Sequence, residues 1–515
     1  MAEDNDMMNP KEYLVSSEEM QRYDSNTISE FKVPALILME QAALACLQNI
    51  LDIPCSNKNV LILAGKGNNG GDAMALARLL MQNSYKVTVC IVSNSFDLEK
   101  GFSDSAKIQY EIIKSMEIPV VTKLPDDSYD IIIDGIFGVG LNRPIQGNVA
   151  DIIKMVNQYH GHKISLDVPS GVDATNGNIH HIAFKADTTI TFAFLKRGLY
   201  LLPGAKFAGK IVKASIGITP ESFLDKPPVM YTLTGSIHDY LPKRDSFGHK
   251  GTFGKILLVA GNKEIGGAAI LAGRASLISG CGMLRILTHK EQKGNIITTM
   301  PEAMVDGYDT LQDAIDYLKI GLAWADVIAI GPGMGMDAIS EEILKIIIKE
   351  SRKPMVLDAD AITILSKEDF YFSLKALQDK DESKRDIILT PHPVELARIC
   401  HCDKGNIPEN GLQLAIDLAK DLHAVIIKKD ANTIICDGTQ LALNMGGNSG
   451  MATAGSGDVL CGITAALMAL YLPVFDTAVI SVYLHSLAGK YAVREKNEYS
   501  LIASDIINGI SKVLS

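Results

Sequence analysis

The chain has 515 residues, a hydrophobic fraction of 47% and a formal net charge of −11. That length exceeds one ordinary core and predicts at least two domains. The acidic balance, with a sequence pI of ≈ 5.5, excludes a nucleic-acid platform, because no basic excess is left to neutralise a phosphate backbone.

Eight scattered cysteines lack the density of a secreted disulfide framework and fit a reducing compartment. Cys400-His401-Cys402 has no second ligand pair at zinc spacing and reads as ordinary thiols. The opening MAEDNDMMNPKEY is acidic and carries no basic n-region, so no signal peptide is expected. Pro34 to Leu51 reads as a packed amphipathic helix, because Glu40, Gln41 and Gln48 hold its apolar length below a membrane span. A cytoplasmic homo-oligomer with neither membrane nor nucleic-acid partners is expected.

From Lys58 the pattern alternates apolar runs with helical segments. Strands are predicted at 60–64, 86–92, 129–137, 163–168, 188–194 and 211–216, with helices starting at Gly71 and Ser103 and a third near Val149. Runs such as Ile131-Ile132-Ile133 suit strands covered on both faces, hence a mainly parallel α/β sheet. In such sheets ligands bind outside the carboxyl ends of the strands. Three polar loops follow those ends: Gly65 to Asp72, Asp134 to Pro144 and Asp167 to Asp173. Each alone is an ordinary turn; three at successive strand ends point to a site. Asn69, Asp134 and Ser170 bring oxygen donors suited to a hard cation, and the glycine amides of the second loop suit a phosphate.

Pro220, Pro227 and Pro228 break the periodicity and mark a linker, which places the domain boundary between residues 225 and 226. A second α/β run follows, with strands predicted at 255–260, 283–287, 327–330, 354–357, 386–389, 424–427 and 433–435. No internal repeat relates the halves, so the two domains differ. His392 sits between two prolines that fix the backbone at a strand end, which suits ligand contact, and Lys428 follows an apolar strand within reach of a phosphate. Asp358 and Asp360 share one side of an extended segment and suit a metal or water, although helix capping explains Asp360 as well.

The most informative stretch is 444–462, NMGGNSGMATAGSGDVLCG, a small and polar loop that feeds a helix after Asp458. Gly455 and Gly457 let backbone N–H groups turn inward as an anion nest at a helix N-terminus. A carboxylate is a poor direct neighbour for a bound phosphate, so Asp458 there suggests a base that deprotonates a hydroxyl about to attack phosphorus. A plain N-cap explains Asp458 but not the long approach to it.

Taken together, GxGNNGGDA at Gly65 to Ala73, the Asp134 loop ending in LNRP, DVPSGVDATNG at Asp167, HKGTFGKILLVAG at His249, PEAM at Pro301, GPGMG, LDADAI, LTPHPVELARI and the GSGD stretch carry a resemblance. The chain resembles the bifunctional NAD(P)H-hydrate repair enzymes, an epimerase domain fused to a dehydratase domain of the ribokinase-like fold. The resemblance implies an N-terminal Rossmann-like α/β/α domain, residues 1–225, and a C-terminal ribokinase-like α/β domain, residues 226–515. In the first it implies hydrate binding by Asn68, Asn69, Gly70, Gly71, Asp72, the loop Gly138, Val139, Gly140, Leu141, Asn142, Arg143 and Pro144, and by Asp167, which is also catalytic. Potassium falls to Asn69, Asp134 and Ser170. In the second, Ala268, Gly333, Gly335, His392, Pro393, Glu395 and Asp458 hold substrate, with Asp458 as base. Lys428, Asn448, Ser449, Gly450, Met451, Ala452, Thr453, Gly455, Ser456 and Gly457 hold the nucleotide. Fusion of the domains favours ADP as co-substrate, with K+ and Mg2+ as ions. One departure stands out: the usual Lys-Gly after the late strand is Lys428-Lys429-Asp430, which puts side chains where a backbone approaches the nucleotide.

The rival reading is a ribokinase-like kinase for a vitamin precursor, which shares the first chemical step and leaves Asn69, Asp134 and Ser170 without a purpose. A non-enzymatic nucleotide sensor makes Asp458 dispensable.

Overall fold

The computed structural model describes residues 10–94, 100–380 and 384–515; the acidic opening read above for signal-peptide character lies, up to residue 9, outside the described residues. The chain divides into two compact units, Tyr13–Val229 and Met230–Ser515, and the described residues before Tyr13 group with the second. The division falls after Val229 rather than after residue 225. Pro10 accounts for the grouping of its segment, because its carbonyl accepts hydrogen bonds from Thr234 N (2.9 Å) and the Tyr240 hydroxyl (2.5 Å). Among the described residues no helix is long and apolar enough to cross a membrane.

In the first unit the sheet runs, in spatial order, Val120–Val121, Lys86–Ile91, Asn59–Ala64, Ile131–Gly135, His162–Leu166, Thr188–Phe192 and Lys210–Ala214, with every pairing parallel. The chain order reverses between Asn59–Ala64 and Ile131–Gly135, which is the switch point where doubly wound sheets open a crevice. Leu61, Ile62, Ile131, Ile132 and Ile133 are fully buried, as their continuous apolar runs require for strands covered on both faces. The helix expected from Gly71 starts earlier and spans Asn68–Gln82. It starts there because Gly70 lies over the Gly65 carbonyl, only 1.9 Å from where a Cβ would stand, so glycine alone lets the helix enter against the loop. A short parallel pair, Leu14↔Leu195 and Val15↔Lys196, completes this unit's strands. Helix Ser17–Ser29 is fixed through Tyr23, fully buried, whose ring packs on Phe194 and Phe223 at centroid distances of 5.9 and 4.6 Å.

The second unit's sheet runs Met304–Tyr308, Met283–His289, Lys255–Val259, Val327–Ile330, Met355–Leu357, Ile387–Leu389, Val425–Lys428, Thr433–Cys436, Leu441–Asn444 and Met230–Leu233. It is parallel as far as Val425–Lys428 and turns antiparallel at the next two pairings. Its order reverses between Lys255–Val259 and Val327–Ile330. Helices Gly267–Ile278 and Ser456–Met468 approach so closely that a Cβ on Gly462 would stand 2.2 Å from the Ala272 carbonyl oxygen. That close packing fixes the helix whose first turn carries Asp458. The strands Met304–Tyr308, Leu441–Asn444 and Met230–Leu233 were not expected; each is short and lacks a long apolar run.

Candidate active sites

At the first switch point the loop ends meet: a Cβ on Gly65 would stand 2.0 Å from the Ile136 carbonyl oxygen. A cavity of ≈ 450 Å³ opens there, walled by Asn68, Asn69, Asp72, Gly138, Val139, Gly140, Leu141 and Asp167, all expected, and by Asp24 and Lys196, which were not. Gly70 and Gly71 stand behind the wall as close-packing positions, and Asn142, Arg143 and Pro144 are exposed beyond the cavity rim. These five, expected as direct contacts, do not line the cavity itself.

Asp167 sits at φ 64°, a left-handed conformation that aims its side chain back over the strand ends. Its Oδ1 accepts from Lys196 Nζ at 2.5 Å and from Phe192 N at 3.1 Å. Burial raises the pKa of Asp72 well above the usual carboxylate range, with Asp167 and Asp24 adding like-charge repulsion. Burial also raises that of Asp24 and lowers that of Lys196, against the pull of Asp167.

Asp134 is fully buried and its two oxygens accept four hydrogen bonds: from Ser170 Oγ (2.6 Å) and Ile136 N (3.2 Å) on Oδ1, and from Ser170 N (2.7 Å) and Ser165 Oγ (3.1 Å) on Oδ2. Burial lifts its pKa to about 6 despite those donors. Asn69 Nδ2 donates to the Leu166 carbonyl (3.3 Å), which keeps its amide at the same strand ends.

In the second unit, Gly261 N donates to the Pro332 carbonyl (2.9 Å) across the switch point, and Gly335 N donates to Asp360 Oδ2 (2.9 Å). Gly333, at φ 59°, lies against Ala268: a Cβ would come within 3.0 Å of the Ala268 methyl. The substrate candidates Ala268, Gly333 and Gly335 therefore gather in one place. The Lys429 ammonium is 2.7 Å from Asp358 Oδ1, which also accepts from Thr390 Oγ1 at 2.5 Å. It lies 3.4 Å from where a Cβ on Gly457 would stand, over the glycine-rich start of helix Ser456–Met468. Asp458, in that first turn, makes no hydrogen bond among the described residues; burial and then Asp358 raise its pKa to about 7 against the pull of Lys429.

A second cavity of ≈ 470 Å³ is lined by His392, Lys429, Asp430, Asn448, Met451, Ala452, Thr453, Ser456, Gly457 and His485, among others. Lys428, expected at the nucleotide, turns its Nζ to Asp430 Oδ2 at 2.6 Å with its side chain buried, because successive residues of a strand point to opposite faces. Lys429 is the one that faces the cavity. Ser449, Gly450 and Gly455 do not line it; Ser449 Oγ bonds to Glu498, Gly450 packs beneath Asn448, and Gly455 takes φ 87° as the helix N-cap. His392 Nδ1 accepts from Val394 N (3.0 Å) and Glu395 N (3.3 Å), while Glu395 Oε2 accepts from His392 N (2.8 Å). His392 thus caps a helix that begins at Pro393 as well as lining the cavity, and Glu395 is buried as its reciprocal cap. Both polar side-chain atoms of Asn448 are buried without a partner among the described residues at the cavity wall, and burial holds His485 neutral, its pKa lowered to about 4. His485 was missed because it lies inside a long apolar helix, Val474–Glu495. Lys196 was detectable, since Lys196-Arg197 interrupts the apolar run around Phe194 and a cation there needs a partner.

A family model described as NAD(P)H-hydrate dehydratase matches residues 256–512, and one described as YjeF-related protein N-terminus matches residues 35–198. A bifunctional NAD(P)H-hydrate repair enzyme of Moorella thermoacetica is 33% identical over 98% of this chain and 96% of its own. Another from Vibrio cholerae is 30% identical over 98% of each. Among solved structures, the ADP/ATP-dependent NAD(P)H-hydrate dehydratase of Bacillus subtilis, co-crystallised with ATP and Mg2+, is 28% identical and covers 54% of this chain and 95% of its own, with a TM-score of 0.46.

Proposed function

The chain belongs to the bifunctional NAD(P)H-hydrate repair enzymes, and from that premise we propose how its two crevices divide the work: the first interconverts the R and S hydrates of NADH and NADPH, and the second dehydrates the S form at the expense of ADP. The hydroxyl on a hydrated nicotinamide ring is a poor leaving group. In the second crevice Asp458 takes the proton of that hydroxyl as its oxygen attacks the terminal phosphorus of the nucleotide, whose bridging P–O bond breaks. The ester then leaves as phosphate, driven by the ring nitrogen's lone pair, and loss of a ring proton restores the dihydronicotinamide. The observation that carries this reading is Asp458 itself, without a hydrogen-bond partner among the described residues, its pKa raised to about 7, in the first turn of a glycine-rich helix. A base with a pKa near the working pH balances availability against driving force.

Lys429 sits where it can meet the nucleotide phosphates, in the place assigned above to Lys428, and Asn448 offers its unpartnered amide to the nucleotide in the same cavity. Mg2+ keeps most of its ligands from phosphates and water and needs only one or two carboxylates, so Asp358 and Asp360 fit as its protein contacts; bound there it would neutralise phosphate charge. Asn69, Asp134 and Ser170 fit potassium on one condition. Both oxygens of Asp134 are saturated by donors, but the Ser170 hydroxyl can turn its proton to the Phe137 carbonyl, 3.3 Å away, which opens one lone pair on Oδ1, still held by Ile136 N, and leaves Ser170 Oγ one lone pair beside the one that accepts from Phe137 N (2.8 Å). A potassium ion there would hold the strand-end loops of the epimerase cavity together. All eight cysteines are free thiols, which supports a cytoplasmic setting. A vitamin-precursor kinase is not favoured, because the relatives above match along almost the whole chain, first unit included.

The reading is tested by supplying each separated hydrate epimer to the full chain with and without ADP. Interconversion without nucleotide, and dehydration of one epimer only with it, are expected; dehydration of both epimers at equal rates by a chain that does not interconvert them overturns the division of labour.

A further inference from the structure

The first cavity holds three carboxyl groups and one ammonium, and their partners are unequal. Lys196 is fully buried, with Nζ 2.5 Å from Asp167 Oδ1 and 2.5 Å from the Phe192 carbonyl. That ammonium and Phe192 N occupy Oδ1 of Asp167, whereas Oδ2 is turned to the glycine loop, 3.5 Å from where a Cβ on Gly138 would stand. Asp72, in the first turn of helix Asn68–Gln82, and Asp24, on helix Ser17–Ser29, line the same cavity and make no hydrogen bond among the described residues. The Cys46 thiol on helix Ala35–Leu51 is buried nearby and held neutral.

We propose that Lys196 is the positioning residue of epimerisation: by pairing with Oδ1 of Asp167 it leaves Oδ2 as proton acceptor, with the unpartnered carboxyl of Asp72 in the same cavity as proton donor. The inference rests on hydrate epimerisation being this unit's reaction. Burial and the facing carboxylates support the donor role, since both favour the protonated form of Asp72. In the step, Asp72 gives its proton to the ring hydroxyl, the C–O bond breaks and its electrons leave with water, and the nitrogen lone pair forms a C=N bond. Water then adds to the opposite face, its proton passes to Oδ2 of Asp167, and the C=N electrons return to nitrogen. The two carboxyls end with their proton exchanged, ready for the reverse direction. Without the ammonium, Oδ1 of Asp167 would be held only by Phe192 N (3.1 Å) and Thr191 Oγ1 (3.5 Å), neither of them charged, and three carboxyls without a cation would share protons without direction.

The test uses the full chain and follows conversion of one pure epimer to the other by chromatography, with dehydration by the second unit of the same molecule as the control for intact protein. Lys196→Met is expected to lower kcat for epimerisation at least about 100-fold with KM changed less than about threefold, because the lost effect lies in proton transfer. Lys196→Arg keeps the cation and is expected to stay within about tenfold of the parent kcat, since a guanidinium also pairs with a carboxylate. In Lys196→Ala, added methylammonium is expected to restore part of kcat, which a merely structural lysine would not allow. Asp72→Asn is expected to lose kcat like Lys196→Met while still binding the hydrate. Unchanged kcat in Lys196→Met or in Asp72→Asn overturns the proposal, as does a rise in KM at constant kcat. Should Lys196→Met lose its folded first unit, Lys196→Arg and Asp72→Asn decide the matter alone. If the parent chain fails to interconvert separated epimers, the function reading falls instead.

Discussion

Replacing Asp458 with Asn keeps the volume and shape of the side chain and removes its ability to accept a proton. Burial, reinforced by Asp358 and Asp360 and opposed by Lys429, holds its pKa at about 7. If Asp458 is the base, dehydration by the parent rises about tenfold between pH 6 and pH 8, following the ionised fraction of a group that titrates near 7. Asp458→Asn is expected to lose this limb and to run 10² to 10⁴ slower at pH 8, roughly 3 to 5 kcal/mol of barrier. Nucleotide affinity should hold or increase, because a negative charge beside the phosphates is gone. Stability should move the other way. A carboxyl whose folded pKa is raised binds more protons folded than unfolded, so it costs stability as pH rises from about 4 through 7, and Asp458→Asn should melt higher than the parent at pH 8 and equally at pH 4, a gain of about 1 to 2 kcal/mol. The assay is the return of dihydronicotinamide absorbance from the S hydrate with ADP, alongside nucleotide titration and thermal melting. Near-parent rates with the pH limb intact would refute Asp458 as base.

The exchange of Lys428 for Lys429 gives a second expectation: Lys429→Ala leaves the buried Asp358 carboxylate uncompensated, at a cost of roughly 3 to 5 kcal/mol of stability or bound nucleotide, whereas Lys428→Ala, which unpairs Asp430 instead, should lower nucleotide affinity less than Lys429→Ala does; the reverse ranking in nucleotide affinity contradicts the placement. Asp134→Ala should abolish stabilisation by KCl over LiCl and cut epimerisation while dehydration of the S hydrate continues, and equal loss of both activities contradicts it. Because burial lifts the Asp134 pKa to about 6, the potassium-dependent shift in melting temperature should fade as pH falls below 6, as the carboxylate takes up its proton; a shift undiminished at pH 5 excludes Asp134 as a ligand.

The elements legible in the sequence were those whose residues carry their own signal. Ile131 to Ile133 announce a strand covered on both faces, and the polar loops that follow the central strands lie where parallel sheets place ligands. Side-chain direction was harder to read. Lys428 and Lys429 are chemically alike, and only strand register decides which one faces the cavity, so a slip of one residue exchanges them. Asn68 to Asp72 read as loop because of their glycines, yet those glycines serve the entry of a helix packed on Gly65. Asp24 stayed hidden because it lies on a polar-looking helix, and it reaches the cavity only through the packing of Tyr23 against Phe194 and Phe223. His392 was read for ligand contact alone, yet a histidine between prolines at a strand end also caps the helix that follows.

The most direct measurement of the central claim is the extent of cofactor recovery from an equilibrium mixture of R and S hydrates. With the full chain, ADP and potassium, the account predicts recovery of the whole mixture as dihydronicotinamide absorbance, with one phosphate released for each cofactor restored. With Asp134→Ala it predicts a fast phase that stops at the S fraction. A parent chain that also stops at the S fraction, or that leaves phosphate on a stable alcohol product, would contradict it.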